Sequence, residues 1–118
     1  MEQLTQQKCV PCSGGVPRLN SEQIAELTPQ VPNWDVVEVE GISRLVRLYK
    51  FPNFVSALAF TNRVGDEAEK EGHHPALLTE WGKVTVSWWT HEIGGLHQND
   101  FVMAAKTDEI ANQMAATK

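Results

Sequence analysis

Cysteine is scarce in this 118-residue chain. Cys9 and Cys12 form a single Cys-Val-Pro-Cys spacing, and without a second pair they cannot close a four-ligand zinc site by themselves. Ser13-Gly14-Gly15 follows, which is loop chemistry rather than the helix start that a thioredoxin-like motif needs. The pair therefore reads as part of a flexible tail over residues 1–18, with a histidine borrowed to hold zinc as the alternative.

Excess positive charge is also missing: ten Lys and Arg stand against fifteen Asp and Glu, for a net charge of −5. That lacks the footprint of a phosphate-backbone binder, so no nucleic-acid partner is expected. No apolar run approaches the roughly 20 residues that span a bilayer, and the start Met1-Glu2-Gln3-Leu4-Thr5-Gln6-Gln7 lacks the basic and apolar regions of a signal peptide. A cytoplasmic protein without a membrane partner is the expectation. Solenoid repeats and low-complexity tracts are absent too.

What remains is ordinary globular usage, 42% hydrophobic and 21% charged, enough for one core and one domain over residues 19–118. Asn20 or Ser21 can cap a short helix through Leu27, with Gln23 placed for a capping box, and Pro29 and Pro32 end it. Trp34 to Glu40, a Gly41 turn, and Ile42 to Lys50 alternate as a β-hairpin. Phe54, Ala57, Leu58, Thr61, Val64 and Ala68 then recur at helical steps, with Asn53 suited to the N-cap and Gly72 to a left-handed exit before Pro75. Ala76 to Trp81, Gly82, and Lys83 to Thr90 read as a second hairpin, with Val84, Val86 and Trp88 on one face and Lys83, Thr85, Ser87, Trp89 and His91 on the other. After Gly94-Gly95, Phe101, Ala104, Ala105, Ile110, Ala111 and Met114 mark a final amphipathic helix. The expected fold is α+β: a four-stranded antiparallel sheet with helices on one face, in the order α-β-β-α-β-β-α. Its open edges suggest a homo-oligomer.

Three of the four histidines gather in one region: His73 and His74 leave a helix end, and His91 ends a strand. Imidazole changes charge near neutral pH, so such a cluster suits general acid/base chemistry or a metal site. Adjacent histidines in an extended segment point to different sides, unlike the pair four apart on a zincin helix, and metal-free proton transfer ranks first.

Glu69, three residues, His73-His74-Pro75, five residues, Trp81, nine residues, His91, eight residues and Asp100 resembles the signature of the pterin-4a-carbinolamine dehydratases. Pro32-Asn33-Trp34, Thr90-His91, Gly95-Leu96 and Asn99-Asp100 extend the resemblance over roughly residues 19 to 115. It implies a hydro-lyase that removes water from 4a-hydroxytetrahydropterin to give quinonoid dihydropterin, so recycling the tetrahydrobiopterin cofactor of an aromatic amino-acid hydroxylase. The pterin is substrate, and no cofactor or metal is implied.

By the same resemblance His73 and His91 are the proton-transfer pair and His74 an orienting or auxiliary group. Substrate-binding segments correspond to His73-His74-Pro75 and Thr90-His91-Glu92-Ile93. Trp34 either walls the pocket or anchors the strand start. Asp100 either supports an imidazole or caps the last helix, and Glu69, the other supporting acid, in the preceding helix, carries the same choice between a site role and a structural one. Gly72 and His97 depart from the family: animal members carry an acid before the His pair, and relatives often have Ser or Thr where His97 caps. A homodimer or homotetramer is implied, and since animal relatives are also transcriptional dimerisation cofactors, a pterin-binding or interaction module without turnover is the rival reading.

Overall fold

The computed structural model describes residues 19–116, so the Cys9 and Cys12 motif and the proposed tail over 1–18 lie outside the described residues. Asn20 and Gln23 build the expected capping box: each side chain accepts the other residue's backbone N–H at 2.9 Å. They open helix α1 (Ser21–Leu27). Pro29 does not stop the winding at once. It occupies the start of a 3-10 turn over Thr28–Gln30, where a missing N–H leaves no bond unmade.

Strands β1 (Asp35–Val39) and β2 (Ile42–Lys50) form the first hairpin, and helix α2 (Phe54–Glu71) follows. Strands β3 (Ala76–Glu80) and β4 (Lys83–Trp88) form the second, and helix α3 (Gln98–Ala116) closes the chain's described part. All pairings are antiparallel in the order β1-β2-β4-β3, so the fold is the α+β arrangement expected, with β1 and β3 at the edges.

Register decides what the sheet buries. Leu45, Arg47 and Tyr49 stand opposite Trp88, Val86 and Val84, so the two central strands share one inward face. Against it pack Ala57, Phe60, Val64 and Ala68 of α2 and Phe101, Val102, Met103 and Ala104 of α3. The final helix differs from the amphipathic expectation over its first half, where every residue from Asn99 to Ala105 is buried. Sheet and α2 cover two sides of it, and just ahead of the helix Leu96 O accepts the Leu19 N–H at 2.8 Å.

β4 ends at Trp88, short of the expected Thr90. Thr90 instead makes a lone bridge to Gly95, enclosing a 3-10 turn over His91–Ile93. Trp81 falls in the turn between β3 and β4 and is exposed. Beside it Gly82 has φ 75°, its carbonyl accepts the Phe51 N–H at 2.8 Å, and a Cβ there would lie 3.2 Å from the Phe51 oxygen. Among the described residues no helix is long and apolar enough to cross a membrane.

Candidate active site

The site begins with how α2 ends. Gly72 adopts the left-handed conformation at φ 65°, its N–H returns to Ala68 and Glu69, and the His73 N–H bonds to Ala68 O at 3.1 Å. The reversal sends successive histidines in opposite directions, as expected of adjacent residues in extended chain. His73 turns inward and is 8% exposed, whereas His74 is exposed.

His73 lies parallel to Trp88, with ring centroids 5.7 Å apart and planes 5° from each other. Its Nε2 is 2.6 Å from Oδ1 of Asp100, which is fully buried. The second oxygen of that carboxylate accepts the Thr90 hydroxyl and the His97 N–H, both at 2.9 Å. An ionised carboxylate only accepts, so His73 donates through Nε2–H and its Nδ1 is left as the atom able to take a proton. Asp100 thus combines the two roles considered for it, imidazole partner and helix cap.

His97 supplies the other half of that cap. Its Nδ1 accepts the Asn99 N–H at 3.1 Å, while the Asp100 carboxylate accepts the His97 N–H, a reciprocal arrangement with imidazole in the place of a hydroxyl.

The other sequence-derived residues fall into separate groups. His74 Nε2 is 2.6 Å from Glu69 Oε1, but the two side chains are 58% and 78% exposed, so solvent screens the pair. His91 is exposed and its ring rests against Trp89, centroids 4.5 Å apart at 40°. Thr90 is buried, Pro75 and Ile93 are half-buried, and Glu92 lies in the 3-10 turn with its side chain outside the described residues. The fold therefore unites His73, Asp100 and Thr90 by hydrogen bonds, and His91 follows Thr90 directly in the chain. Among the described residues no group of three or more His, Cys, Asp or Glu side chains is gathered to hold a metal ion.

Trp34 belongs to a second cluster, which sequence reasoning missed. Its indole N–H donates to both oxygens of Asp108 at 3.0 and 3.1 Å, and Tyr49 meets it edge-on at 6.2 Å. Asp108 also accepts Arg47 Nη1 at 2.6 Å and the Tyr49 hydroxyl. Burial first, and then the neighbouring Asp108 carboxylate, push the Tyr49 phenol well above its ordinary range. The available signal was Arg47 and Tyr49 two apart on the inward face of β2, a placement that demands a buried partner. Trp34 is accordingly tied to α3 as the anchor of the first strand.

A sequence profile described as Pterin 4 alpha carbinolamine dehydratase matches residues 17–110. A Microcystis aeruginosa protein provisionally named pterin-4-alpha-carbinolamine dehydratase is 62% identical over 98% of this chain and 100% of its own. A Gloeobacter violaceus protein of similar provisional name is 62% identical over 96% of this chain and 97% of its own. The crystal structure of a transcriptional coactivator/pterin dehydratase from Brucella melitensis superposes with a TM-score of 0.72 at 31% identity, covering 80% of this chain and 98% of that one. A pterin dehydratase-like protein identified as a RuBisCO assembly factor shares the fold, with a TM-score of 0.57 at 19% identity over 67% of this chain and 89% of its own.

Proposed function

Because the chain belongs to the pterin-4a-carbinolamine dehydratase family, we propose that it removes water from 4a-hydroxytetrahydropterin by histidine acid/base catalysis, giving quinonoid dihydropterin. Loss of the 4a-hydroxyl requires a proton on the departing oxygen and removal of another from a ring nitrogen. Two imidazoles in different protonation states meet both needs, each contributing about 10²–10⁴-fold. The observation that carries the reading is His73 Nε2 on Asp100 at 2.6 Å, because it leaves Nδ1 as a proton carrier of defined direction. His91, following the Thr90 bound to that same carboxylate, is its partner in proton transfer, and His74 is an orienting group.

Backbone groups of His73-His74-Pro75 and Thr90-His91-Glu92-Ile93 would read the amide-like edge of the pterin. Recycling the cofactor of an aromatic amino-acid hydroxylase is the corresponding role in the cell's cytoplasm, with the pterin as substrate and no separate cofactor.

Stopped-flow dehydration of freshly generated 4a-hydroxytetrahydropterin tests this. Wild type is expected to accelerate the reaction, His73→Ala and His91→Ala to lose about 10²-fold or more in kcat, and chelator treatment to change nothing. Full activity in His91→Ala would remove that residue from the reaction. A second reading, an interaction module, is favoured by Val37, Val39, Leu48 and Leu78, which stand exposed on the uncovered face of the sheet. No acceleration by wild type would select it.

A further inference from the structure

Arg44 stands on the sheet face turned away from the helices, and its guanidinium takes no part in the bonds around Asp100. Leu45 pairs with Trp88, so the preceding Arg44 comes opposite Trp89 as the chain leaves β4. Its guanidinium carbon lies 4.0 Å from the centroid of the Trp89 ring system. The same indole packs on the His91 imidazole. Nε of Arg44 is buried and, among the described residues, has no hydrogen-bond partner, so stacking holds that edge of the group. A planar, weakly hydrated guanidinium is suited to such a contact, and the quadrupole of indole attracts its charge.

The three histidines are thus oriented by different means. Asp100 holds His73 and Glu69 meets His74, whereas the His91 ring rests on Trp89. An exposed imidazole can occupy several staggered rotamers. A proton carrier must instead stay within hydrogen-bond reach of one substrate atom, and small misplacements are expensive in rate.

We propose that Arg44 is a positioning residue: by stacking on Trp89 it fixes the indole, and the indole fixes His91 in the orientation that exchanges a proton with the pterin. The inference rests on His91 being a proton-transfer group, as read above. Arg44 itself touches no reacting atom, and nothing in the family signature calls for it.

The test uses the full chain with Arg44→Leu and Arg44→Lys, measuring carbinolamine dehydration and the carbon-bound imidazole protons by NMR. In Arg44→Leu kcat should fall about tenfold with KM changed less than about twofold, a fraction of what a positioned acid or base supplies. The His91 resonances, displaced by the indole ring current, should move toward those of unstructured histidine while the His73 resonances stay in place. Arg44→Lys should recover part of both effects, since an ammonium keeps the charge but not the flat contact. Unchanged kcat and His91 resonances in Arg44→Leu would overturn the proposal, and so would lost activity with His91 resonances unmoved. If wild type shows no dehydration at all, the function fails separately, and the ring resonances still decide whether Arg44 orients His91.

Discussion

Asp100→Asn is nearly isosteric but replaces one acceptor oxygen with a donor, where the native carboxylate accepts from His73, Thr90 and His97. If the amide nitrogen faces His73, the imidazole must accept at Nε2 and carry its proton on Nδ1, the reverse of the proposed working state. If it faces the other way, Thr90 and the His97 N–H lose their partner. Either arrangement should depress kcat by about 10²–10⁴-fold and stability by about 1–3 kcal/mol. Stopped-flow rates beside urea melts check both, and a variant turning over at the native rate would remove the His73–Asp100 unit from the chemistry. At this scale the sequence displays the histidines and Asp100 through their spacing. It does not display that one carboxylate bonds both His73 and Thr90, because those partners approach from 27 and 10 residues away.

Helix ends carry the next level of organisation. His97 caps α3 through Nδ1, a bond that requires the neutral ring. His97→Ala should cost about 1 kcal/mol of stability and His97→Ser should restore it, since a hydroxyl is a preferred acceptor at that position. Thermal melts of the two variants decide; equal melting of Ala and wild type would mean the imidazole bond contributes nothing. Both hairpins are legible in the sequence because period-two runs flank Gly41 and Gly82, and α2 is legible because Asn53 and Gly72 mark its ends with an apolar stripe between. The early end of β4 is not legible. Alternation continues through Thr90 and His91 on opposite sides, and only the bridge between Thr90 and Gly95 reveals that the backbone has already turned.

Across the whole molecule, Asp108 ties α3 to β2 and to the start of β1 through bonds spanning 59 to 74 residues. An acid on a helix otherwise reads as solvated, which is why this cluster escapes a sequence reading. The Tyr49 phenol is held above its ordinary range in the fold, while an unfolded chain ionises at about pH 10, so above that pH the native state binds more protons. Stability contributed by the neutral phenol is therefore full below about pH 10 and declines as pH rises further. Tyr49→Phe should be less stable by about 0.5–1.5 kcal/mol at neutral pH and show a shallower alkaline decline, measured as urea midpoints at several pH values. Parallel declines would assign the alkaline loss to other groups. From the strand edges and the exposed valines and leucines of the open face we propose that the chain assembles with further copies; sedimentation of only single chains at micromolar concentration would rule that out. Since the first turn of α3, the exit of α2 and the exit of β4 all meet on one buried carboxylate, fraying that turn releases His73 and Thr90 together. On the proposed chemistry, catalytic competence becomes a gauge of local order: heating would silence the protein when this corner opens, while the sheet beneath it still stands.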